Sequence, residues 1–429
     1  LFRSVALAVN NRLWNVVLSG GVSMPKASII IPCYNAEKYL ADTLASAQNQ
    51  TERDIEIVCV DNNSTDSTRD ILDKAAQKDS RIRILEETVP GEGPARQAGF
   101  ATATGEWLYF LDADDLMEPQ LLERAMAMGE SKNADLIIFR TYTLNDVTGE
   151  VIPISYSYLR DWLPGNMDVF DPHEWPKHIL NSFQNWVHNK LFRASFVHEH
   201  GLSFQPLHRT ADLLFTCRAL TEAHCIALLD EFLHKYRINN ASSTMATSDS
   251  YPLDFYEALI ALRDTLKEQG TWDLYHDSYI SWAAISVIAN LETARSVDGF
   301  TTIADRMKQG GLEALDLAKT DISSLESPWH QQRIQDILHL PLTDLIFVHY
   351  ADLKIRRNGC EDHASRVRME NADLHTEVKQ LKDRITRLEH EVELRDKTIE
   401  GFEHSISFKI SRCITAPVRG LRDKMQKRP

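Results

Sequence analysis

The amino-acid sequence predicts an α/β domain that is followed by a helical region and then by a coiled coil. Two apolar segments, 27–31 and 55–60, each lead into a polar loop and then into a segment whose apolar residues have helical spacing. A third apolar run, 107–111, ends in a cluster of carboxylates. Because ligands of open α/β sheets bind at the carboxyl ends of the strands, these loops predict a binding site at one edge of a sheet.

The carboxylate cluster Asp112-Ala113-Asp114-Asp115 suits a metal–nucleotide site. Hard oxygen ligands at this edge can hold Mg²⁺ or Mn²⁺ against a diphosphate. Aspartates that follow strands also serve as helix N-caps, and Asp115 is suitably placed to cap a helix that begins near Pro119. The cluster taken alone leaves both interpretations open.

The loops after the first two strands contain further polar residues. Asn35 is a residue type favoured at helix N-caps, and the apolar residues after it keep helical spacing. The second strand delivers the segment from Asp61 to Asp66 to the same edge. Asp66 fits either a ligand contact or a cap for the helix after Ser67.

Four linked motifs resemble glycosyltransferase family 2, whose members have the GT-A fold. The order and spacing of these motifs match over residues 26–119, and weaker matches continue to about Tyr236. The motifs are Pro32-Cys33-Tyr34-Asn35, the run from Asp61 to Asp66, the segment from Gly93 to Gly99, and Asp112-Ala113-Asp114-Asp115. The resemblance implies a Rossmann-like, nucleotide-sugar-binding domain.

The resemblance also implies roles for the residues around the donor nucleotide. Pro32, Tyr34 and Asn35 would border the nucleotide. Asp61 would accept a hydrogen bond from the base, and the N3–H group of uracil suits a carboxylate there. We therefore expect a nucleotide-sugar donor, and specifically a UDP-sugar.

Three further residues are assigned by the resemblance to the diphosphate and its metal ion. Arg96 would lie near the diphosphate, which its fixed charge suits. Asp112 would contact the ribose or the metal, and Asp114 would be the main ligand of Mn²⁺ or Mg²⁺. The chain departs from the family pattern at Asn62, where a second Asp is common, and at Gln97, where Asn is common.

An inverting sugar transfer needs a general base that removes the proton of the attacking hydroxyl. Residues 186–192 and 210–215 resemble the acceptor-side motifs of the family, and the Asp of the second motif is the base. The resemblance therefore implies that Asp212 is the catalytic base, although Ala211 stands where Glu is usual. The alternative is that Asp212 caps a helix from Leu213 to Glu222.

The pattern along the 429 residues divides the chain into several parts. Residues 1–23 are expected to be an unstructured or non-native leader, because their apolar run is too short for a signal peptide or a membrane span. The transferase domain is expected over 24–240, with a donor half at 24–120 and an acceptor half at 121–240. A helical accessory region is expected over 241–350.

The C-terminal part predicts assembly and membrane contact. Residues 364–402 carry heptads that favour a parallel homodimeric coiled coil, with a single helix folded on its own domain as the alternative. Residues 405–429 contain seven basic residues against one acidic residue, interleaved with apolar ones. This tail suits peripheral contact with anionic lipid, and a solvated disordered tail is the alternative.

Charge and cysteine content restrict the class of protein. The formal net charge of −15 argues against nucleic acid as a partner. The six cysteines show no close pair and no zinc spacing, so we expect reduced, mostly buried thiols of a cytoplasmic protein.

These observations predict an inverting, metal-dependent and non-processive glycosyltransferase. It would move a sugar to a hydroxyl of a cell-surface glycan precursor, free or lipid-linked, at the inner face of a bacterial cell membrane. A Gln-x-x-Arg-Trp signature, which marks processive synthases, does not occur in the sequence. The alternatives are a catalytically impaired coiled-coil scaffold of a glycan assembly complex, suggested by Asn62 and Ala211, and a nucleotidyltransferase, which would not explain the motif at Asp212.

Overall fold

The computed structural model describes residues 24–165, 167–239, 249–318, 325–356, 358 and, with gaps, 379–397. The chain divides into two compact units, Leu1–Ile346 and Phe347–Pro429. The predicted leader at 1–23 and the basic tail at 405–429 lie outside the described residues, as does the first part of the predicted coiled coil.

Among its described residues the first unit contains ten strands and the ten α-helices named below, and residues 342–346 are also helical. The strands are β1 (Ala27–Cys33), β2 (Ile55–Asp61), β3 (Ile82–Glu86), β4 (Trp107–Phe110), β5 (Leu116–Met117), β6 (Leu136–Asn145), β7 (Val151–Pro153), β8 (Val169–Phe170), β9 (Lys190–Arg193) and β10 (Ile226–Ile238). The helices are α1 (Leu40–Gln48), α2 (Thr68–Lys78), α3 (Glu92–Thr102), α4 (Leu121–Lys132), α5 (Ala194–Glu199), α6 (Ala211–Glu222), α7 (Asp254–Glu268), α8 (Trp272–Thr293), α9 (Val297–Arg306) and α10 (Pro328–His339). Short helical turns lie at Arg160–Trp162, Pro172–Glu174, Pro176–His178, Met307–Gly311 and Leu312–Ala314.

All ten strands belong to one mixed sheet. Its order is β3-β2-β1-β4-β9-β6-β10-β5, with β7 beside β6 and β8 beside β10. Strands β3, β2, β1 and β4 are parallel, and β9 is antiparallel to both β4 and β6. Strand β10 is parallel to β6, so the carboxyl ends of β1, β2, β4, β6 and β10 lie at one edge of the sheet. This arrangement confirms the predicted α/β class.

The central strands are apolar on both faces because helices cover both faces. Strand β1 has the sequence ASIIIPC, and its three isoleucines are fully buried. Helix α3 approaches this strand closely at Gly99, where an added Cβ would lie 2.5 Å from Cγ2 of Ile30. The close approach places α3 against the sheet and positions Arg96, which α3 carries.

The helices after residue 250 share a hydrophobic core with the acceptor half. Phe255 and Leu259 of α7 and Ile280 of α8 are buried in the same cluster as Phe192 and Phe215. The helical periodicity predicted for this region is confirmed, and α7 and α8 are its two longest helices. The accessory region therefore belongs to the same compact unit as the transferase domain.

In the second unit the described residues are helical at 347–356, 384–390 and 392–394. Ile385, Leu388 and Val392 occupy predicted heptad core positions, and they are 54%, 51% and 56% exposed in the single chain. The coiled coil stays a prediction.

Two sequence expectations about compartment can be compared with the structure. Cys33, Cys59 and Cys217 are buried free thiols, and Cys225 is a half-buried one, as the sequence predicts. Within the described ranges, the structure contains no helix with the length and apolar character needed to cross a bilayer.

Candidate active site

The loop after β1 is tied to the loop after β2. Asn35 takes a φ of 46°, and its Oδ1 accepts a hydrogen bond of 2.8 Å from the backbone N–H of Thr65. The expectation that Asn35 caps the first helix is wrong, because α1 begins only at Leu40. Pro32 lies inside β1, and the neighbouring Tyr34 ring is 64% exposed. An exposed ring at this edge is available for stacking on a planar ligand.

Asp61 is the last residue of β2 and is paired in register with Cys33. Its carboxylate is 9% exposed and accepts a hydrogen bond from the N–H of Ser64. Asp66 has a local role, because its two oxygens accept hydrogen bonds from Thr68 at the start of α2 and from Glu37. Asp66 therefore accepts from the first N–H of α2 although Ser67 occupies the N-cap position, and the interpretation of Asp66 as a ligand contact stays a prediction.

The two departures from the family pattern have structural roles. The side chain of Asn62 is buried, with 5% of the residue exposed. Its Nδ2 donates hydrogen bonds to the carbonyls of Glu87 (2.8 Å) and Val89 (2.7 Å). Its Oδ1 accepts a hydrogen bond from the N–H of Gly91 (2.9 Å). An aspartate could not donate these two bonds. Gln97 accepts a hydrogen bond of 3.0 Å from the N–H of Phe204.

Arg96 is the centre of a buried charge cluster. Its Nη2 donates to Oδ1 of Asp112 at 2.6 Å and also contacts Glu92, one helical turn earlier. Burial disfavours the charged guanidinium, but Glu92, Asp112 and Asp212 outweigh that effect and raise the pKa of Arg96. Nε and Nη1 of Arg96 are buried and bond to no group in the described part of the chain. Two buried N–H donors without an acceptor suit an anionic ligand such as a diphosphate.

Asp112 and Asp114 follow β4 at the sheet edge. Burial raises the pKa of Asp112, but Arg96 and His188 more than offset this and hold the pKa well below its usual range. Asp114 is half-buried, and its backbone carbonyl accepts a hydrogen bond from Nε of Arg237. Because Arg96 already balances the charge of Asp112, a divalent ion at this edge would have Asp114 as its main anionic ligand. The two carboxylates fit Mn²⁺ or Mg²⁺, which prefer hard oxygen ligands.

The side chain of Asp115 makes different contacts from those of Asp112 and Asp114. It is fully buried; its Oδ2 lies 2.9 Å from Nε2 of His234, and its Oδ1 accepts a bond from the N–H of Arg237. Nδ1 of His234 lies 2.8 Å from the hydroxyl of Tyr109. The interpretation of Asp115 as a helix cap is wrong, because α4 begins at Leu121 after Gln120.

Burial acts on both members of the Asp115–His234 pair. It raises the pKa of Asp115 to about 7 and lowers the pKa of His234 to about 3. The Tyr109 hydroxyl lies 2.9 Å from the carbonyl of His188 and 2.8 Å from Nδ1 of His234. These buried contacts fix β10 against the Asp112–Asp115 loop.

Asp212 lies in the first turn of α6, next to the donor cluster. Helix α6 begins at Ala211 after Thr210, so the alternative that Asp212 is the helix cap is wrong. Burial raises the pKa of Asp212, Arg96 opposes the rise, and Asp112 adds to it. Ala211 is fully buried, and a Cβ added at Gly93 would lie 3.0 Å from its Cβ. The small residue at 211 therefore allows α6 to pack closely on α3.

Comparison with known proteins identifies the family of the part of the chain that carries the donor-side residues. Residues 28–201 match the family model described as glycosyl transferase family 2. They form a family 2 glycosyltransferase domain.

Several curated proteins are similar to this chain. The EpsH protein of Bacillus subtilis is 29% identical over 246 residues, which cover 56% of this chain and 68% of that protein. A poly(ribitol-phosphate) beta-glucosyltransferase of Bacillus spizizenii is 30% identical over 248 residues, 56% of this chain and 37% of that protein. TarS of Staphylococcus aureus, a poly(ribitol-phosphate) beta-N-acetylglucosaminyltransferase, is 28% identical over 242 residues, 55% of this chain and 39% of that protein. The chain thus spans less than two fifths of the two poly(ribitol-phosphate) transferases.

A solved structure supports the fold of the family 2 domain. The crystal structure of S. aureus TarS 1-349 in complex with UDP-GlcNAc superposes with a TM-score of 0.50 and 20% identity, covering 74% of this chain and 93% of that chain. At this identity the similarity concerns the fold, which is GT-A.

Lys190 holds the backbone of the family 2 domain near the site. It is fully buried, and its Nζ donates to the carbonyls of Gln184 (2.6 Å) and Trp186 (2.7 Å) and to Oδ1 of Asn189 (2.7 Å). Burial lowers the pKa of Lys190 to about 7. Three acceptors satisfy all three N–H bonds of an ammonium group. The loop that leads into β9 therefore accepts all three N–H bonds of Lys190.

Sequence reasoning did not single out Glu92, Tyr109 or His234. Glu92 could have been found, because it precedes Arg96 by one helical turn at the start of the glycine-containing motif. Tyr109 and His234 had no local signal, since they meet across 125 positions of sequence. The ring of His188, which belongs to the acceptor-side motif at 186–192, stacks on His234 with a centroid distance of 4.3 Å, a contact that the motif alone does not predict.

Proposed function

We propose that this protein is an inverting, metal-dependent glycosyltransferase that moves a sugar from a UDP-sugar to a hydroxyl of a cell-surface glycan precursor, without processive polymerisation. The observation that carries the proposal is the buried cluster of Arg96, Asp112 and Asp212. In this cluster a cation with two unbonded N–H groups lies beside a carboxylate with a raised pKa. The cluster thus combines a group that binds phosphate with a group that accepts a proton.

The donor is held at the carboxyl ends of β1, β2 and β4. Asp61 is positioned by Ser64 to accept the N3–H of uracil, and the exposed Tyr34 ring borders the base. Pro32 and Asn35 shape the same loop, and Nε and Nη1 of Arg96, which have no partner among the described residues, would bind the diphosphate. The crystal complex of TarS with UDP-GlcNAc supports the choice of a UDP-sugar.

Asp114 and Asp112 are the proposed ligands of Mn²⁺ or Mg²⁺. A bound ion would supply neutralisation of the charge on the leaving diphosphate. The guanidinium of Arg96 would add its own positive charge to that of the ion. The salt bridge between Arg96 and Asp112 keeps the Asp112 carboxylate ionised and oriented.

Asp212 is the proposed general base. It takes the proton of the acceptor hydroxyl while the hydroxyl oxygen attacks the anomeric carbon from the side opposite the diphosphate, which inverts the configuration. A base is most effective when its pKa is near the working pH, and burial raises the pKa of Asp212 in that direction.

The acceptor and the place of action rest on the relatives and on the C-terminal sequence. Two similar proteins are named as transferases to poly(ribitol-phosphate), which supports an acceptor on a bacterial surface glycan or its lipid-linked precursor. We propose a cytoplasmic enzyme at the inner face of the membrane, dimeric through residues 364–402. The basic tail would bring both active sites to anionic lipid.

UDP release from a set of UDP-sugars and GDP-sugars, measured with Mn²⁺ and with EDTA, tests the proposal. We expect Mn²⁺-dependent UDP release, and NMR of a transferred product should show inversion at the anomeric carbon. Release of pyrophosphate from a nucleoside triphosphate would instead indicate a nucleotidyltransferase. A well-folded chain that binds no nucleotide sugar would indicate the scaffold.

A further inference from the structure

A second cluster of metal-ligating side chains lies at the edge of the sheet opposite the candidate active site. Asp171 and His173 flank the start of the turn Pro172–Glu174, and His224 lies two residues before β10. His234, which contacts the active-site loop, lies near the other end of β10. Because of irregularities in β10, residues 226–234 pair with only residues 136–141 of β6, so the two places are separated by about 20–25 Å.

The ligand atoms of the three side chains converge. One ligand atom from each of Asp171, His173 and His224 lies within 4.8 Å of the others. Nδ1 of His173 is 2.7 Å from Oδ1 of Asp171, and Nδ1 of His224 is 3.8 Å from Oδ2 of Asp171. The imidazole rings are stacked, with their centroids 5.0 Å apart and their planes 19° from parallel.

The backbone holds these side chains in place by separate interactions. Oδ1 of Asp171 accepts a bond of 2.9 Å from the N–H of His173, which fixes both residues at the turn. The backbone N–H groups of His224 and Cys225 donate to Oδ2 of Asp135 at 2.9 and 3.0 Å. Pairing of β8 with β10 joins the two segments. Asp171 caps the turn Pro172–Glu174, which explains the position of its carboxylate. Capping does not explain why the exposed His224 ring stacks on His173.

We propose that Asp171, His173 and His224 form a binding site for a zinc-class transition-metal ion. Two imidazoles and one carboxylate are a donor set that Zn²⁺ accepts in tetrahedral geometry, with water as the fourth ligand. Mg²⁺ and Ca²⁺ prefer all-oxygen sites, so the cluster selects against these two ions, and the order of divalent-ion affinities favours Zn²⁺ over Mn²⁺.

The geometry needs only a small adjustment to accept the ion. Ligands at about 2.1 Å from a tetrahedral ion lie about 3.4 Å from each other. The separation of 2.7 Å between Oδ1 of Asp171 and Nδ1 of His173 must widen by about 0.7 Å. Nδ1 of His224 is 3.8 Å from the other carboxylate oxygen, Oδ2, and that separation must narrow by about 0.4 Å if Oδ2 binds the ion. The His224 side chain is 73% exposed, so its rotation meets little resistance.

A bound ion would connect the turn Pro172–Glu174 to the start of β10. That turn belongs to the acceptor half, between β8 and β9. Binding to the folded state alone stabilises it, so the ion should raise the melting temperature.

Titration of the full chain, without a polyhistidine tag, with Co²⁺ and then Zn²⁺ tests the proposal. We expect one equivalent of Co²⁺ to give the visible absorption of a four-coordinate site, and Zn²⁺ to displace it and raise the melting temperature. His224→Ala and His173→Ala should each lose this absorption and weaken Zn²⁺ binding at least about tenfold. X-ray absorption of the zinc form should show two imidazole ligands.

Two controls make the result specific. His276 lies 3.1 Å from Asp277 and belongs to no three-ligand cluster among the described residues, so His276→Ala should bind Co²⁺ like the parent. Asp114→Ala should also keep the Co²⁺ absorption, because that residue lies at the opposite edge. Parent protein that shows no four-coordinate absorption, or an absorption retained in His224→Ala and His173→Ala, would overturn the proposal.

Discussion

Replacing Asn62 by the aspartate that the family pattern favours should destabilise this protein. The side chain is 5% exposed and makes three hydrogen bonds, two of which it donates. A carboxylate keeps the bond from the Gly91 N–H but turns the donated bonds to Glu87 and Val89 into contacts between oxygens. Asn62→Asp therefore places a buried negative charge against two carbonyl groups.

The magnitude follows from these contacts. Each net hydrogen bond contributes about 1 kcal/mol, and each buried group left without a partner costs about 1–3 kcal/mol. We expect Asn62→Asp to lower the free energy of unfolding by about 3 kcal/mol. Since the affected loop leads into α3, the displacement of Arg96 should also lower kcat/KM for the sugar donor.

Urea denaturation followed by circular dichroism measures the loss. Asn63→Asp is the matched control, because Asn63 donates to Glu87 and Thr88 from an exposed position, where water can replace the bonds. The control should lose less than about 1 kcal/mol. If Asn62→Asp unfolds within about 0.5 kcal/mol of the parent, the assigned hydrogen-bond network is wrong.

Four further predictions concern the chemistry and the assembly. Asp114→Ala should abolish Mn²⁺-dependent UDP binding in titration calorimetry. The control Asp73→Ala, at an exposed carboxylate, should keep this binding. Unchanged binding in Asp114→Ala would show that Asp114 is not a metal ligand. Asp212→Asn keeps the shape of the side chain but removes the proton acceptor. We expect kcat to fall at least about 10²-fold while the affinity for the donor stays within a few-fold of the parent. Equal turnover in the variant and the parent would mean that another residue is the base. Because burial raises the pKa of Asp212, the base should be protonated at a higher pH than an ordinary aspartate as the pH falls. The acid limb of the pH profile of kcat should therefore lie above the ordinary pKa of aspartate, and a limb at that ordinary pKa would contradict the prediction. Truncation before Ala364 should give a monomer in light scattering that still hydrolyses UDP-sugar but no longer binds anionic vesicles, and a dimeric truncation product would refute the coiled coil.

The tertiary structure changes the meaning of the residues that depart from the family pattern. On sequence grounds Asn62 and Ala211 suggested a weakened enzyme. In the fold, Asn62 joins two donor-side loops, and Ala211 packs where α6 meets α3 near Gly93. Both residues therefore have structural explanations that do not require a loss of activity.

The sequence by itself determined the elements and the edge at which the site forms. Apolar runs ending in polar loops predicted β1, β2 and β4, because strands that are buried on both faces read as continuous apolar segments. Helical spacing predicted the region that contains α7 and α8, because burial of one helix face repeats about every 3.6 residues. The motifs at 32–35 and 112–115 carried the family resemblance. Each could be recognised in the sequence because it is a short, continuous run at the end of one strand.

Only the tertiary structure decided which distant side chains contact each other. Asp115 meets His234 across 119 positions, and Asp171 meets His224 through the pairing of β8 with β10. Such contacts depend on strand order and register, which bring distant segments together and leave no periodic trace in either segment. The burial that shifts the pKa of Asp115 and of Asp212 likewise arises only when the helices close over the sheet edge.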